Sequence, residues 1–432
     1  MNEIQTDFTA LSHDGRGVAH IDGKTVFVPN VLPGERARLR IVRRKRRYDE
    51  GVLLELLSHS PERVSPRCRH FLHCSGCSLQ HLSATSQIAA KQHVLADNFE
   101  RIGKVVPARW LPALQDAPWG YRRKGRLSVR WVEKKGRVLV GFHETNPRYV
   151  ADLQSCDVLH PTLGSCLREL AAQISRLSIR TRIPQIEFAA GDEALVLVIR
   201  HTEAPSATDC ASLAAFGDAQ GLSIWLQPQG PDSAHPLRRQ DRVRLTYRVQ
   251  DDLEITFQPL DFIQIHSGMN QRMVHQALAL LELSPRHRIL DLFSGIGNFT
   301  LPMARYVTEV VGIEGESGLV QRAIDNAHNN GIENARFYSA DLFEDQQAAP
   351  WAQQPWDAIV LDPPRAGAAE LLDYLPVAAT HKLLYISCHP ASLARDAGTL
   401  VHRHGFHLQA AGVMDMFPHT SHVESMALFT RD

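Results

Sequence analysis

The stretch ILDLFSGIGNF, residues 289–299, decides the fold of the C-terminal half of this chain. A short apolar run leads into a turn with two glycines and then into a helical segment, which is how the first parallel strand of a doubly wound sheet meets its helix. Gly295 and Gly297 carry no Cβ, so the backbone of this turn can approach a bound ligand closely. The stretch therefore predicts a ligand cleft at the carboxyl end of that strand.

Around this stretch, short apolar segments alternate with helical ones at the spacing of a parallel α/β sheet. The predicted strands are RILDLF, EVVGIEG, ARFYSAD, DAIVLD and KLLYIS. Ligands of such sheets bind outside the carboxyl ends of the strands, so the residues that end each strand are candidate site residues. We expect the C-terminal part to be a Rossmann-like domain.

The form of the glycine turn indicates which ligand the cleft takes. The turn reads G-x-G-N and lacks the third glycine of the dinucleotide fingerprint G-x-G-x-x-G. A dinucleotide stays an alternative, but the missing glycine favours S-adenosylmethionine, which has no pyrophosphate to accommodate. Glu314 ends the second strand, 19 residues after Gly295, where a carboxylate suits the two hydroxyl groups of a ribose.

Two more acids end the third and fourth strands. Asp341 stands where an adenine amino group would need an acceptor, although an aspartate there is equally typical of a helix N-cap. Asp362 begins the segment DPPR, in which two prolines remove backbone donors and stiffen the loop. An ordinary turn is the alternative for DPPR, but turn chemistry alone explains poorly why it follows a buried apolar strand directly. We predict that this loop borders the cleft.

A cysteine ends the fifth strand. Cys388 follows KLLYIS and precedes Pro390, a residue type common in the first helical turn. The positive end of the helix dipole is expected to lower the pKa of the thiol and raise its thiolate fraction. A buried structural cysteine is the alternative, but the carboxyl edge of the sheet favours a catalytic nucleophile.

Methyl transfer to carbon explains the need for a thiolate. Carbon 5 of uracil is a weak nucleophile, and thiolate addition at carbon 6 would make an enolate that can attack a methyl sulfonium. A base must then remove the carbon-5 proton so that the thiolate can leave. Glu424, in HVES before the last predicted strand, is the candidate base, and an ordinary loop carboxylate is the alternative.

The N-terminal half indicates a nucleic-acid partner. Residues 1–58 read as short strands separated by turns and predict an OB-like barrel. Eight of the twelve residues 36–47 are Arg or Lys, and eight more basic residues lie in 121–137, a segment that includes Tyr121 and Trp131 and follows Trp119. Because the formal net charge is +0, these clusters are segregated charge of the kind that contacts phosphates. A solvated basic face is the alternative.

Four cysteines suggest a metal site. Cys68, Cys74 and Cys77 lie in one loop rich in Pro, Cys and His, and Cys156 can complete a set of four thiolates. Such a set holds either zinc or an iron–sulfur cluster. Zinc sites usually contain two C-x-x-C pairs and this chain has one, while His70 and His73 keep a mixed zinc site open. The spacing alone leaves the metal undecided.

Five segments taken together resemble the RNA uracil-C5 methyltransferase family: FIQIH (262–266), DLFSGIGNF (291–299), DPPR (362–365), SCHPASLARD (387–396) and HVES (422–425). The resemblance implies that Cys388 is the nucleophile and that Glu424 is the base. It also implies that six residues contact S-adenosylmethionine, namely Gln264, Phe293, Asn298, Glu314, Asp341 and Asp362. Asn is also found in the family at position 341, and His389 stands where Asn is common.

One branch of the family has an N-terminal TRAM domain, which is OB-like, and a four-cysteine [4Fe–4S] site, and it methylates 23S ribosomal RNA. Similarity to that branch implies a [4Fe–4S] cluster on Cys68, Cys74, Cys77 and Cys156, with 23S ribosomal RNA as the partner. The expected domains are a TRAM barrel (1–58), a central α/β domain (61–85 and 125–258) and a methyltransferase domain (86–124 and 259–432).

The remaining sequence features set limits on location and class. No stretch approaches the roughly 18 apolar residues of a membrane span, no signal peptide is visible, and seven cysteines do not indicate a disulfide framework. We therefore expect a cytoplasmic monomer with no membrane contact. A non-catalytic RNA-binding module and a cytosine-C5 methyltransferase stay open. An exocyclic-amine methyltransferase is less favoured, because such enzymes have an aromatic residue where Arg365 stands.

Overall fold

The computed structural model describes residues 3–375, 377 and 380–431. Within them the strands are β1 (Glu3–Asp7), β2 (Ala10–Leu11), β3 (Gly17–Ile21), β4 (Lys24–Val28), β5 (Arg36–Arg44), β6 (Tyr48–Leu56), β7 (Arg109–Trp110), β8 (Lys124–Val132), β9 (Arg137–Gly141), β10 (Gln185–Ala190), β11 (Leu195–Arg200), β12 (Ser223–Gln227), β13 (His235–Pro236), β14 (Leu245–Gln250), β15 (Leu253–Phe257), β16 (Arg288–Leu292), β17 (Glu309–Glu314), β18 (Ala335–Ser339), β19 (Ala358–Leu361), β20 (Lys382–Ser387), β21 (His407–Met414) and β22 (Glu424–Thr430).

The α-helices over the same residues are α1 (Ala84–Asn98), α2 (Pro161–Ser165), α3 (Leu167–Arg176), α4 (Ala207–Gln220), α5 (Ser267–Leu281), α6 (Thr300–Ala304), α7 (Ser317–Asn329), α8 (Ala369–Leu372) and α9 (Pro390–His402). Short 3₁₀ turns occur at 133–135, 231–233 and 239–241. A π-helical turn, Phe99–Gly103, extends α1, and Lys104 closes it in the left-handed conformation. The helical segment thus ends at Gly103, where a glycine and a left-handed residue stop it.

Strands β1–β6 form a six-stranded sheet of their own, in the order β1-β5-β6-β4-β3-β2. Alternate side chains of these strands point into a small apolar core that includes Phe8, Val26, Val28 and Leu39. The antiparallel pair β5–β6 turns at residues 45–47, and register shifts break its ladder near the turn. The basic cluster of residues 36–47 therefore lies along β5 and at the tip of this hairpin.

Strands β8–β13 form a second six-stranded sheet, in the order β13-β12-β11-β10-β8-β9. One face is covered by α2, α3 and α4, where Leu167, Leu170 and Ile174 of α3 belong to the same apolar core as the strands β10 and β11. The other face contributes Val196 and Val198 to an apolar core that also contains the hairpin β14–β15 and the helix α5. The central sheet and the C-terminal part thus bury apolar side chains in one common core.

The C-terminal part is built on an eight-stranded sheet of order β18-β17-β16-β19-β20-β22-β21-β7. Neighbouring strands from β18 to β20 are parallel, and β22 is antiparallel to both β20 and β21. Helices α5, α6 and α7 cover one face, and α1, α8 and α9 cover the other. This arrangement confirms the Rossmann-like fold, with β16 as the first strand of the doubly wound sheet.

Two details of this sheet position the site. The carboxyl ends of β16, β17, β19 and β20 lie along one edge, since these strands are parallel. The antiparallel strand β22 starts at that same edge, because Ser425 pairs with Ser387 at the end of β20. The residues just after β20 and those just before β22 therefore lie close together. None of the helices in the described residues is long and apolar enough to span a membrane.

Candidate active site

The glycine turn after β16 is anchored by the acid that ends β17. The carboxylate of Glu314 accepts hydrogen bonds from the backbone N–H groups of Gly295 (3.0 Å), Gly315 (2.8 Å) and Glu316 (3.1 Å). Gly295 has φ +54°, a conformation that favours glycine, and a Cβ added there would meet no atom within 4 Å. The turn thus leaves open space over its backbone, next to a half-buried carboxylate.

Asn298 is held by two residues that sequence reasoning missed. Its side-chain amide pairs reciprocally with that of Asn270 on α5, at 2.8 Å and 2.9 Å. The hydroxyl of Tyr247 on β14 donates a third hydrogen bond, at 3.1 Å, to the Asn298 oxygen. The amide therefore fixes the glycine turn to α5 and to the hairpin β14–β15. Nothing in the spacing of these residues along the chain could have indicated the cluster.

Asp291 is a further buried acid on β16. One of its oxygens accepts a hydrogen bond from the Thr300 hydroxyl, and the other has no partner among the described residues. Burial raises its pKa to about 7, with the charges of Asp362 and Glu314 adding to the effect. An acid inside the apolar run ILDLF was a visible signal for this residue.

The other predicted cofactor contacts are spread around the glycine turn. Phe293, with φ +65°, packs its ring against that of Phe343 at a centroid distance of 5.8 Å. Asp341 is exposed, and its carboxylate accepts a hydrogen bond from the Phe343 N–H at 3.0 Å, which is a turn-capping contact. Gln264 lies half-buried in the segment before α5, and no hydrogen bond or ring contact joins it to these residues within the described part of the chain.

Three acidic groups converge where β19 and β20 end and β22 begins. Glu424 is buried, and burial followed by the charge of Asp362 raises its pKa to about 8, against the opposing charges of Lys91 and Arg365. Asp362 is half-buried, and burial raises its pKa to about 7. Cys388 interacts electrostatically with both carboxyls. The structure thus brings together the nucleophile and the base expected from the sequence.

The lowered pKa expected for the Cys388 thiol is wrong. Burial, and after it the charges of Glu424 and Asp362, raises this pKa to about 11, while the guanidinium of Arg365 acts in the opposite direction. The helix start itself is as expected, because α9 begins at Pro390. Burial is the larger cause, and the two carboxyls that add to it come from other segments of the chain.

His389 and Arg365 complete this part of the site. The imidazole of His389 caps α9 by accepting a hydrogen bond from the Ser392 N–H at 3.3 Å, as an asparagine at that position could. The substitution is therefore structurally conservative. Arg365 reaches the His422 ring at 3.4 Å, and so spans from the DPPR loop to the segment before Glu424.

Lys91 is the functional residue that the sequence analysis most clearly missed. It is 1% exposed, and its ammonium group lies 2.6 Å from the carboxylate of Asp415 and 3.0 Å from the Phe417 carbonyl oxygen. Burial lowers the pKa of Lys91, and the charges of Asp415 and then Glu424 raise it. Lys91 shares the buried face of α1 with Ile88 and Leu95. A lysine on an apolar helical face was the available signal.

The four predicted cysteine ligands line one cavity. Backbone N–H groups point at the sulfurs, His70 N to Cys68 Sγ and Gly76 N to Cys74 Sγ, both at 3.4 Å. Burial raises the pKa of Cys74 to about 11 and of Cys77 to about 12, and the charges of the neighbouring cysteines add to both shifts. Within the described residues, no three His, Cys, Asp or Glu side chains stand where they could hold a metal ion.

The two basic clusters differ in how they are paired. Arg43, Arg44, Arg46 and Arg47 are all exposed at the tip of the hairpin β5–β6, and of these Arg43 lies 3.8 Å from the carboxylate of Glu50. In contrast, four basic residues of the 121–137 cluster face carboxylates: Arg123–Asp192, Arg126–Glu187, Lys135–Asp152 and Arg137–Asp152. Trp119 and Trp131, expected beside RNA, are half-buried under the arginines Arg67 and Arg180. The first cluster is the better candidate for phosphate contacts.

The doubly wound sheet with its glycine turn after the first strand defines a Rossmann-like methyltransferase. Residues 86–432 match the model of the tRNA (uracil-5-)-methyltransferase family, and residues 3–54 match that of the TRAM domain. The chain therefore belongs to the RNA uracil-C5 methyltransferase family.

Similar proteins carry more specific names. The chain is 54% identical to a 23S rRNA (uracil(1939)-C(5))-methyltransferase RlmD of Xanthomonas oryzae, over 99% of this chain and 97% of the relative. It is 52% identical to proteins of the same name from Stenotrophomonas maltophilia and Xylella fastidiosa, with the same coverage. The fold resembles that of the Pyrococcus abyssi tRNA (uracil-54, C5)-methyltransferase in complex with S-adenosyl-L-homocysteine, with a TM-score of 0.76, 22% identity and 99% of each chain covered.

Proposed function

We propose that this protein transfers a methyl group from S-adenosylmethionine to carbon 5 of one uridine in 23S ribosomal RNA, the one that corresponds to uridine 1939 of its relatives' substrate. The observation that carries the proposal is the convergence of Cys388, Glu424 and Asp362 at the edge where the glycine turn lies. Full-length identity of 54% to RlmD supports the choice of ribosomal RNA.

The residues around the glycine turn fit S-adenosylmethionine. A carboxylate offers about four acceptor positions, and the backbone takes three of those on Glu314, so the carboxylate can still accept from a ribose hydroxyl. The open space above Gly295 would take the ligand without a clash. We assign Gln264, Phe293, Asn298, Glu314, Asp341 and Asp362 to its binding. When bound, S-adenosylmethionine supplies an electrophilic methyl group on a sulfonium.

In the proposed mechanism, the Cys388 sulfur adds to carbon 6 of uracil. The carbon–sulfur bond forms while the ring double bond becomes an enolate, and carbon 5 would then take the methyl group from the sulfonium, whose bond to the methyl breaks to leave a neutral thioether. The guanidinium of Arg365 counters negative charge beside the sulfur. Because the thiol has a pKa of about 11, its proton must leave as the sulfur attacks, and Asp362 is the neighbouring carboxylate that accepts it, which leaves Glu424 free to take the carbon-5 proton.

The last step needs a base that is near carbon 5. Glu424 removes the carbon-5 proton, the ring double bond re-forms and the bond to Cys388 breaks. Its pKa of about 8 is near the working pH, so a useful fraction is ionised and the protonated form is also stable. Glu424 is thus suited to hold a proton that it later returns to solvent.

We further propose a [4Fe–4S] cluster on Cys68, Cys74, Cys77 and Cys156. The shared cavity and the N–H groups aimed at the sulfurs suit thiolates that carry negative charge. Cys68, Cys74, Cys77 and Cys156 would hold this cluster through their four thiolates.

The substrate is tested by mapping 5-methyluridine in RNA from cells with and without the protein. We expect one 5-methyluridine of 23S ribosomal RNA to disappear and to return when the wild-type protein is supplied. Protein with Cys388→Ala, which keeps the fold, should not restore it. Loss of a 5-methyluridine from transfer RNA, with 23S ribosomal RNA unchanged, would contradict the proposal.

The metal is tested by analysis of protein purified without oxygen. We expect about four irons and a matching amount of acid-labile sulfide per chain, with the brown colour of an iron–sulfur protein. Cys156→Ser should lower the iron content, whereas Cys210→Ser, a cysteine outside the cavity, should leave it unchanged. One zinc per chain without iron would overturn this assignment.

A further inference from the structure

The segment that delivers Glu424 is held from outside the catalytic sheet. We call residues 415–423, between the end of β21 and Glu424, the base loop. Its backbone groups pair with donors and acceptors located between residues 78 and 121. These partners lie in the cysteine-containing segment, in α1 and in the strand-free stretch after β7. The position of the base therefore depends on contacts with remote parts of the chain.

Gln87 is one bridge between the base loop and the cysteine-containing segment. It is 3% exposed on α1, and its amide oxygen accepts a hydrogen bond from the His419 N–H at 3.0 Å. Its amide nitrogen donates to the carbonyl oxygens of Leu79 (3.1 Å) and Leu82 (2.8 Å). One side chain thus satisfies buried backbone groups on both segments, which would be costly to leave unpaired.

Ser78 and Leu79, which directly follow Cys77, bind the base loop themselves. Their N–H groups both donate to the His419 carbonyl oxygen at 2.9 Å. The Ser78 hydroxyl oxygen accepts a hydrogen bond from the Ser421 N–H at 3.0 Å. Ser421 is three residues before Glu424, so this contact sets the direction in which the chain enters β22.

The conformation of His419 needs such support. It has φ +66°, in the left-handed region that residues other than glycine rarely adopt, and it persists where surrounding contacts determine it. Trp119 stacks on its ring at 3.9 Å, and the Tyr121 hydroxyl donates to the Pro418 carbonyl oxygen at 3.1 Å. These contacts therefore fix the backbone conformation of the base loop.

We propose that Gln87 and Ser78 are positioning residues for the general base, through which the cysteine site fixes the place of Glu424. This inference rests on the proposed function. Neither residue touches the reacting atoms, and their effect passes through the base loop alone. It predicts a particular kinetic defect, because Glu424 acts only after methyl transfer. Loss of Gln87 should slow release of the methylated RNA from Cys388 and leave the earlier steps nearly unchanged.

The test follows one turnover of full-length protein with substrate RNA and methyl-labelled S-adenosylmethionine. Methyl transfer is measured as label in RNA, and release is measured as decay of the denaturation-resistant protein–RNA species. With Gln87→Leu we expect that species to live about 10- to 100-fold longer than in wild type, the scale expected for a displacement of a catalytic group by about 1 Å. Methyl transfer should change by less than about threefold, and Ser78→Ala should show a smaller defect of the same kind.

Two matched variants on α3 serve as controls. Gln173→Leu changes a buried helical glutamine, and Ser175→Ala removes a hydroxyl that accepts a backbone N–H at 2.9 Å, both far from the base loop in sequence and on another domain. Iron content and cooperative melting of all variants are compared with wild type. Neither control should lengthen the life of the protein–RNA species.

Each outcome decides one idea. If Glu424→Gln traps the protein–RNA species but folded Gln87→Leu releases RNA at the wild-type rate, positioning is wrong and the proposed function stands. If Glu424→Gln traps nothing, the covalent mechanism itself fails. Equal slowing of methyl transfer and release in Gln87→Leu would also overturn positioning. Should Gln87→Leu not fold, the rates of methyl transfer and of RNA release measured on Ser78→Ala decide in the same way.

Discussion

Cys388 and Glu424 face the same small space, but they reach it in different ways. Cys388 is placed by its own neighbours, since it joins the end of a buried parallel strand to the first turn of α9. Glu424 starts an antiparallel strand, and the nine residues before it are fixed by hydrogen bonds to residues more than 290 positions away. The nucleophile depends on local structure, and the base depends on the assembled fold.

The difference extends to charge. Both groups have raised pKa values because they are buried together with Asp362. Arg365, from the DPPR loop of the same sheet, lowers the pKa of both groups, while Lys91 of α1 adds a second cation at the base. Changes near Cys388 should therefore stop the reaction outright. Changes behind Glu424 should impair a later step, or the stability of the loop.

The largest effect is expected for Cys388→Ala. Without the sulfur, carbon 5 cannot be activated, and turnover should fall by more than about 10⁴-fold, as for other essential nucleophiles. Binding of S-adenosylmethionine should be unchanged, since none of the contacts of the glycine turn is lost. Turnover within tenfold of wild type, measured with labelled methyl groups, would rule out the covalent mechanism.

Lys91→Met should separate the base loop from α1. The change leaves the half-buried carboxylate of Asp415 without its partner, and breaking a buried pair typically costs up to about 3–5 kcal/mol in the free energy of unfolding. Lys135→Met is the control, because its ion pair with Asp152 is largely exposed and is worth at most about 1 kcal/mol. Denaturant titration measures the free energy of unfolding of both variants. Equal losses in the two would mean that burial of the ion pair does not add to its effect.

A smaller effect is expected from the exposed arginines of the hairpin β5–β6. Changing Arg43, Arg44, Arg46 and Arg47 to Gln should reduce the slope of log affinity for RNA against log salt by roughly 0.7–0.9 per lost phosphate contact. The control replaces the ion-paired set Arg123, Arg126, Lys135 and Arg137. If the slope is unchanged in the first variant, the hairpin cluster is only a solvated face.

The sequence predicted the features of the fold and the site that depend on short segments of the chain. The glycine turn, the acid that ends β17, the loop DPPR and the cysteine before Pro390 each follow from a strand end and its neighbours. The same holds for the doubly wound fold, because strand and helix alternate along the chain. These features depend on short-range geometry, and the structure has them where the sequence analysis expected.

What escaped the sequence analysis depends on contacts between distant segments. The partners of Asn298 come from α5 and β14, and the lysine near Glu424 comes from α1. The lowered pKa expected for the Cys388 thiol was wrong for the same reason, since burial in the assembled site raises it and the charges of Glu424 and Asp362 add to the effect. The pairing of β7 with β21 at the sheet edge could likewise not be predicted, because β7 consists of two residues and has no pattern of its own.

The smallest effect is a shift in the titration of Cys388. Above a pH of about 8 the Glu424 carboxyl is ionised, so its charge opposes thiolate formation near pH 11. Glu424→Gln removes that charge, and the midpoint of Cys388 alkylation against pH should move down. Cys166 is the internal control, because burial and Glu169 set its pKa of about 11. A midpoint that stays in place would mean that Glu424 and Cys388 do not interact.

The account depends most on Glu424 acting after Cys388 has bonded to the uracil. Glu424→Gln keeps the shape of the side chain but removes the base, which is typically worth about 10²–10⁴ in rate. Incubated with substrate RNA and labelled S-adenosylmethionine, this variant should accumulate a denaturation-resistant protein–RNA species that carries the methyl group, and adding Cys388→Ala should abolish it. Normal turnover of Glu424→Gln without that species would contradict the account, and Asp362 would then be the base to test.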